Sequence, residues 1–394
     1  MPERSVVVVS GARTAIGTYG GSLKDTPPTK LGAIVIREAV KRSQIDPASV
    51  GQVVFGNVIH TEPRDMYVSR VAAIDGGLPY EVPAFTLNRL CGSGFQAIVT
   101  AAQTILVGDA DTAVAGGVES MSRGAYAIPG LRWGQRMGNG EYIDMAVGAL
   151  TDPFDTIHMG VTAENVAAKY GITREQQDAL ALESQRRAAR AIAEGRFKEQ
   201  IVPVELKTKK GPVFFDTDEH VRAETTAEAL AKLRTVFKPD GTVTAGNASG
   251  INDAAAAVVL MEAGAAERAG HQPLARLVAY GHSGVDSKIM GIGPIPAVRN
   301  ALQRAGLTLD QIDVIESNEA FAAQACAVAG ELGFDPVKLN PNGGAIALGH
   351  PIGATGCVLT LKAIYELRRT GGRYALVTMC IGGGQGIAGI FERL

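Results

Sequence analysis

The sequence has few of the features that mark several protein classes. Cysteine is scarce: Cys91, Cys326, Cys357 and Cys380 are the only four in 394 residues. No two stand at CxxC spacing, so neither a zinc site nor a redox motif of that kind is expected. A chain this long can fold without disulfides, which points to a reduced, cytoplasmic setting. Any special cysteine would then be special for its chemistry. An excess of one charge is also missing, with 38 basic residues against 40 acidic ones and a net charge of −2. A nucleic-acid partner normally needs a basic surplus, and none is expected here. The longest early apolar run, Val6 to Val9, falls far short of the about 20 residues that a membrane span requires. It is also too short for the core of a signal peptide, so a chain without membrane or leader segment is expected.

Glycine is what the sequence has in excess, 48 of 394 residues. The glycines are clustered rather than periodic, which excludes a collagen-like or low-complexity chain. Apolar residues make up 46%, enough for a sizeable core. The length suggests two or three domains.

Both ends of the chain read as alternating strands and helices. Ser5 to Ser10 is a β-branched run of the kind buried on both faces of a sheet. Leu31 to Arg42 and Gly94 to Val107 have helical spacing, while Val53 to Val58 and Thr112 to Ala115 read as strands. Further on, Leu277 to Tyr280, Asp313 to Ile315 and Tyr374 to Met379 read as strands, and Ala297 to Arg304 and Gly356 to Arg368 as helices. The two ends superpose at a spacing of about 262 residues. Arg37, Ala39 and Arg42 fall on Arg299, Ala301 and Arg304. After a one-residue gap, Val53 and Asn57 fall on Val314 and Asn318; Gly94 and Ala113 then fall on Gly356 and Ala375. A duplicated half explains that order better than chance. It predicts two pseudo-symmetric α/β halves, each a mostly parallel sheet covered by helices.

The middle differs. Residues 121–250 carry 17 basic and 17 acidic side chains, a higher charge density than the rest. Thr173 with Gln176 forms a capping-box pattern ahead of a long helix, and Gly195 is its stop. The expected division is residues 1–120 with 251–272 as the first half, 121–250 as an inserted loop domain, and 273–394 as the second half.

Four positions are candidates for chemistry. Cys91 stands in Asn88-Arg89-Leu90-Cys91-Gly92-Ser93-Gly94, just ahead of a helix. A helix N-terminus favours thiolate, which makes a nucleophile; a small core residue in a tight turn is the equal alternative. Cys380 follows an apolar strand and precedes Gly382-Gly383-Gly384. Ligands bind beyond strand ends in α/β sheets, and glycine N–H groups can hold an oxyanion; a turn needing several positive-φ residues explains the run as well. No Gly-Lys-Ser/Thr follows, which excludes a P-loop. His350 lies between Gly349 and Pro351, a rigid place that suits a general base or a hydrogen-bond donor, although a lone histidine is more often structural. Asn318, where strand gives way to helix, is either an N-cap or the holder of a water. Cys326 and Cys357 sit in Ala-rich or apolar helical stretches and read as core.

Together these segments resemble the thiolase family. The resemblance rests on Asn88 to Gly94, Asn318-Glu319-Ala320-Phe321-Ala322, Gly343 to Gly356 and Cys380 to Gly386, with Val6 to Gly17, Gly117 to Ser122 and Thr244 to Asp253 in support. It runs from about residue 5 to the C-terminus, and within the family it is nearest to the bacterial short-chain acetyl-CoA acetyltransferases. It implies an α/β, thiolase-like fold: two pseudo-symmetric halves in five αβαβα layers with an inserted loop domain. It also implies roles. Cys91 would carry the acyl group as a thioester and His350 would activate it. Cys380 would move the α-proton of the second substrate. Asn318 would hold a water that forms one oxyanion hole with His350, and the N–H groups of Cys91 and Gly382 would form the other. Arg222, Phe237, Ala245 and Ser249 would meet coenzyme A, while His158, Met159 and Phe321 would line the acyl and pantetheine channel. The implied substrates are acetyl-CoA and short acyl-CoA or 3-ketoacyl-CoA thioesters, with no permanently bound cofactor and no metal. The implied assembly is a homotetramer or homodimer, with Leu131 to Met137 as an assembly loop or else a segment buried in the monomer. The competing readings are a ketoacyl synthase-like condensing enzyme and a non-catalytic acyl-CoA-binding protein.

Overall fold

A computed structural model describes residues 4–394. The first half begins with β1 (Val6–Arg13), whose eight residues are all buried, followed by α1 (Pro28–Ser43) and β2 (Gln52–Gly56). Then come α2 (Val68–Asp75), β3 (Ala84–Leu87), α3 (Ser93–Val107) and β4 (Thr112–Ser120). The middle of the chain contributes α4 (Met159–Tyr170), α5 (Arg174–Ala193) and a hairpin of Val204–Thr208 with Gly211–Phe215. The chain returns as β5 (Asn252–Glu262). The second half holds β6 (Ala275–Gly284), α6 (Pro294–Ala305), β7 (Val314–Ser317), α7 (Ala322–Leu332), α8 (Thr355–Thr370), β8 (Tyr374–Ile381) and β9 (Gln385–Arg393).

The strands follow the order β7-β8-β9-β6-β1-β5-β4-β2-β3. β1 and β6 are joined by only two residue pairs, Val7 with Arg276 and Val8 with Ala275, so the path divides there into two sheets. Each sheet has the same internal order. β2 is parallel to β4, which is antiparallel to β5 and then β1; β7 is parallel to β8, which is antiparallel to β9 and then β6. The duplicated half is therefore present. The expectation of mostly parallel sheets is not met, because each half turns back on itself. Gly383 and Gly384, at φ +81° and +84°, close a tight hairpin between β8 and β9. In the first half the whole insertion occupies that same connection.

Two helices lie between the sheets. α3 packs on β4, β2 and β5, and α8 packs on β8 and β7 while also touching β5 and β4. α1 covers β1 and β5, and α6 covers β6 and β9, from the outer sides. This completes the five αβαβα layers. The inner helices meet at repeat-related glycines. A Cβ on Gly94 would lie 2.9 Å from the Gly353 oxygen and 3.0 Å from the Cys357 nitrogen; one on Gly356 would lie 2.3 Å from the Phe95 nitrogen. Missing side chains at both positions let the helices touch, and the glycines share the pseudo-twofold axis. Phe95 then reaches Phe391 of β9 edge to face, with centroids 6.1 Å apart. Such a pair adds about 0.5–1.5 kcal/mol beyond its burial. Leu90–Val107 is long and apolar enough to cross a membrane by composition, but it contains this largely buried core helix.

The insertion is tied to the sheet. Arg13 at the end of β1 forms a fully buried ion pair with Asp218, Nη1 to Oδ1 at 2.8 Å and Nη2 to Oδ2 at 2.9 Å. The Ile16 N–H also donates to Asp218. Both charges are paired and further bonded, as burial requires. The capping box at Thr173 and Gln176 forms as expected, and Gly195 turns the chain at φ +72°.

Candidate active site

The turn that carries Cys91 is built by its neighbours. Asn88 Oδ1 accepts the Leu90 N–H, while Ser93 Oγ accepts the Arg89 N–H and donates to the Leu90 carbonyl. These bonds hold Leu90 at φ +44°, a strained conformation for a side chain of its size. Cys91 thus sits in a 3₁₀ turn, Leu90–Gly92, ahead of α3 rather than in its first turn. The expectation of a standing thiolate fails here. Burial pushes the thiol up to about 11, and the N–H groups of Gly382 and of Cys91 itself pull only partly the other way. Desolvation outweighs the helix terminus, so the proton must leave during the reaction.

Cys380 is buried on β8, opposite Gly386 of β9. It packs with Met159, Met290 and Ala320, and Phe321 closes over that cluster. Burial raises its thiol above the ordinary range, and charge on Cys91 raises it further. The two thiols come from opposite halves and share one electrostatic environment. The Gly382 N–H faces the Cys91 sulfur, as an oxyanion donor should.

His350 is buried, and burial lowers its imidazole to about 4, so the ring is neutral at neutral pH. Its backbone N–H donates to Asn252 Oδ1 at 2.9 Å, and Asn252 in turn donates to the Gly17 carbonyl. The ring nitrogens have separate partners: Thr355 Oγ1 lies 2.7 Å from Nδ1, and Asn318 Nδ2 lies 3.4 Å from Nε2. Asn318 is fully buried, and its Oδ1 has no partner among the described residues. An unpaired buried acceptor fits a group that binds water or substrate. Cys91 packs against an apolar cluster of Ile59, Met121, Ala146 and Ile352, the last of them two residues beyond His350.

A second set of expected residues gathers over Cys380. His158 caps α4 by accepting the Gly160 N–H at Nδ1, 3.0 Å away, which leaves its Nε2–H free to donate. Burial lowers this ring's pKa as well. Its ring stacks on Phe237 at 4.7 Å, and Phe237 meets Phe321 edge to face at 6.3 Å. Met159 is buried with its methyl group directed at Gly382. The Ser249 N–H bonds to the Ala320 carbonyl, which holds the 244–249 loop against the Asn318 segment. Arg222 and Ala245 are exposed. The Arg222 backbone is held by Gln185, and no contact joins either residue to Cys91, His350 or Cys380.

Three supporting residues went unread in the sequence: Asn252, Thr355 and Glu119. Glu119 is wholly buried at the end of β4, where its oxygens accept from Asn57 Nδ2 and from the Val58, Ile59 and Gly353 N–H groups. It clamps the loop after His350 to the loop after β2. Burial raises its carboxyl to about 8 against those donors, and its charge opposes ionisation of Cys91. Each of the three stands within a segment singled out for other residues, so position alone was the available signal. Cys357 is buried as expected, but Cys326 is only half-buried, because its face of α7 opens on a cavity of about 510 Å³ beside α5. A larger cavity of about 610 Å³, lined by Arg187, Arg190, Arg196 and Lys338, includes none of the site residues.

The chain matches known proteins over its whole length. The family description "Thiolase, N-terminal domain" covers residues 6–264, and "Thiolase, C-terminal domain" covers 271–393. It is 67% identical to beta-ketothiolase BktB of Cupriavidus necator over 99% of this chain and 100% of that protein. It is 52% identical to an acetyl-CoA acetyltransferase of Syntrophomonas wolfei, again over 99% and 100%. Among solved structures, the acetyl-CoA acetyltransferase of Bacillus anthracis superposes with a TM-score of 0.98 at 47% identity, covering 100% of this chain and 99% of that one. Human mitochondrial 3-ketoacyl-CoA thiolase in complex with CoA superposes at 0.96 with 45% identity, over 99% and 98%.

Proposed function

The chain belongs to the thiolase family and is an acyltransferase of coenzyme A thioesters, and from that premise we propose how its own residues divide the reaction. The overall change is a reversible Claisen condensation of acetyl-CoA with a short acyl-CoA, or the thiolysis that reverses it. His350 Nε2 takes the proton of Cys91 as the sulfur attacks the thioester carbonyl. The departing coenzyme A thiolate takes the proton of Cys380. This leaves acyl-Cys91, protonated His350 and a Cys380 thiolate. That thiolate removes an α-proton from the second thioester, and the resulting carbanion attacks the acyl group on Cys91. Cys91 departs as thiolate and recovers its proton from His350, so every proton is accounted for.

The observation that carries this reading is the meeting of two thiols from opposite halves of the repeat, a charge on Cys91 disfavouring charge on Cys380. Cys91 capped as a thioester cannot ionise, so a thiolate formed at Cys380 meets no like charge beside it while the acyl group is loaded. A thiolate of high pKa suits removal of a weakly acidic α-proton. Asn318 with its water and His350 would stabilise one oxyanion; the N–H groups of Cys91 and Gly382 would stabilise the other. A cysteine at position 380 argues against a ketoacyl synthase-like enzyme, and the paired reactive groups argue against a binding protein.

His158, Met159, Phe237, Ser249 and Phe321 would hold the pantetheine and acyl portions, with Arg222 and Ala245 at the rim for the nucleotide end. Acetyl-CoA and short acyl-CoA or 3-ketoacyl-CoA thioesters are the proposed substrates. A reduced compartment such as the cytoplasm suits two working thiols. A homodimer or homotetramer is supported by an apolar segment that the monomer leaves uncovered: Trp133 is 87% and Met137 90% exposed. That exposure rules out burial of the loop within the monomer. Thiolysis of a 3-ketoacyl-CoA series of rising chain length, with acetyl-CoA condensation measured in parallel, tests the function. Activity confined to short chains in both directions is expected; turnover in neither direction contradicts it.

A further inference from the structure

The hydroxyl of Thr355 has two neighbours and one hydrogen. It lies 2.9 Å from the Pro351 carbonyl oxygen and 2.7 Å from His350 Nδ1. A carbonyl can only accept, so in its bond to Pro351 the hydroxyl is the donor, beside the Ala354 and Thr355 N–H groups that the same oxygen accepts. The oxygen of Thr355 is then left to accept, and Nδ1 must carry a proton to donate. In a neutral imidazole the other nitrogen is then bare. Nε2 is the nitrogen that faces Asn318, whose amide NH₂ is directed at it. At 3.4 Å this contact is long, so a bare Nε2 tolerates the amide without being occupied by it, whereas an Nε2–H would oppose it. Both ring contacts therefore fit the same tautomer. No charged side chain bonds to the ring among the described residues.

We propose that Thr355 is a positioning residue that fixes His350 as the Nδ1–H tautomer and so keeps Nε2 free to take the Cys91 proton. The inference rests on His350 as the base for Cys91. Pro351 and Thr355 form one rigid piece with the histidine: Pro351 restricts the backbone after His350, and its carbonyl orients the hydroxyl at the start of α8. The ring can gain and lose a proton at Nε2 through the cycle while Nδ1–H stays on Thr355.

The test combines a spectroscopic and a kinetic reading. Protein carrying ¹⁵N-labelled histidine is assigned at His350 by comparison with His350→Gln. The expected spectrum at neutral pH has a protonated, pyrrole-type Nδ1 and a bare, pyridine-type Nε2. The opposite pattern overturns the proposal. Thr355→Val removes the acceptor while keeping the shape, and kcat should fall about 100-fold with KM for acetyl-CoA unchanged. Thr355→Ser should keep both kcat and the tautomer. Wild-type kcat in the Val variant, or equal losses in Val and Ser, overturns the proposal. If the Val variant does not fold, the wild-type spectrum and the Ser variant decide. Wild-type turnover in His350→Gln would instead sink the base assignment, which the tautomer spectrum does not depend on.

Discussion

Cys91 precedes the first of two central helices and Cys380 ends a strand of the other half, yet a charge on Cys91 opposes ionisation of Cys380. The pair links the architecture to the chemistry. Each half alone would hold one thiol, and the reaction needs two that are never charged together.

The pH dependence of acyl transfer follows from the buried groups. His350 stays neutral down to about 4 and the Cys91 thiol stays protonated up to about 11. Below the first value the imidazole is protonated and cannot take the thiol proton. kcat/KM should therefore be flat through neutrality and fall on the acid side only near the lower value. An acid limb centred near the ordinary histidine value would contradict the buried, neutral ring.

Gly94→Ala and Gly356→Ala test the helix crossing. Each adds a methyl group where backbone atoms leave no room. Either should destabilise the fold by about 1–3 kcal/mol, read from urea denaturation. Wild-type stability in both would contradict the contact on the pseudo-twofold axis.

Glu119→Gln should loosen the loop after His350. Both Glu119 oxygens accept N–H groups, so the amide NH₂ must face donors that now have an acceptor, leaving them buried and unpaired. A loss of about 1–3 kcal/mol is expected, together with a lower kcat. Unchanged melting temperature and turnover would show that the clamp is dispensable.

Phe237→Ala removes the ring stacked on His158 and set against Phe321. KM for acetyl-CoA should rise several-fold while the rate of acylation at saturation changes little. A loss confined to kcat would place Phe237 with the reacting atoms instead.

Trp133→Arg places a charge on the uncovered apolar segment. Light scattering should show a smaller assembly than the wild type at the same concentration. An unchanged mass would remove the segment from the interface.

The repeat spacing made much of the fold legible, because residues such as Gly94 and Gly356 are constrained by contact with each other and recur in both halves. Strand direction was not legible. The hairpin after Ile381 and the long insertion after Ser120 occupy equivalent places, and composition does not distinguish a return from a crossover. At the site, Cys91, His350 and Cys380 stood out because glycine and proline surround them. Thr355, Asn252 and Glu119 did not, since a buried hydrogen-bond partner has no local pattern. The thiolate expectation at Cys91 failed for a related reason: the helix terminus is visible in sequence, while the burial that outweighs it is built by residues distant in the chain, among them Ile59, Met121, Ala146 and Ile352.

The most direct test of the division of labour is acetyl transfer to Cys380→Ser, followed by mass analysis of the Cys91 peptide. The account predicts one acetyl group on Cys91 and very slow condensation. An unlabelled Cys91 in that variant, or wild-type condensation, would contradict it.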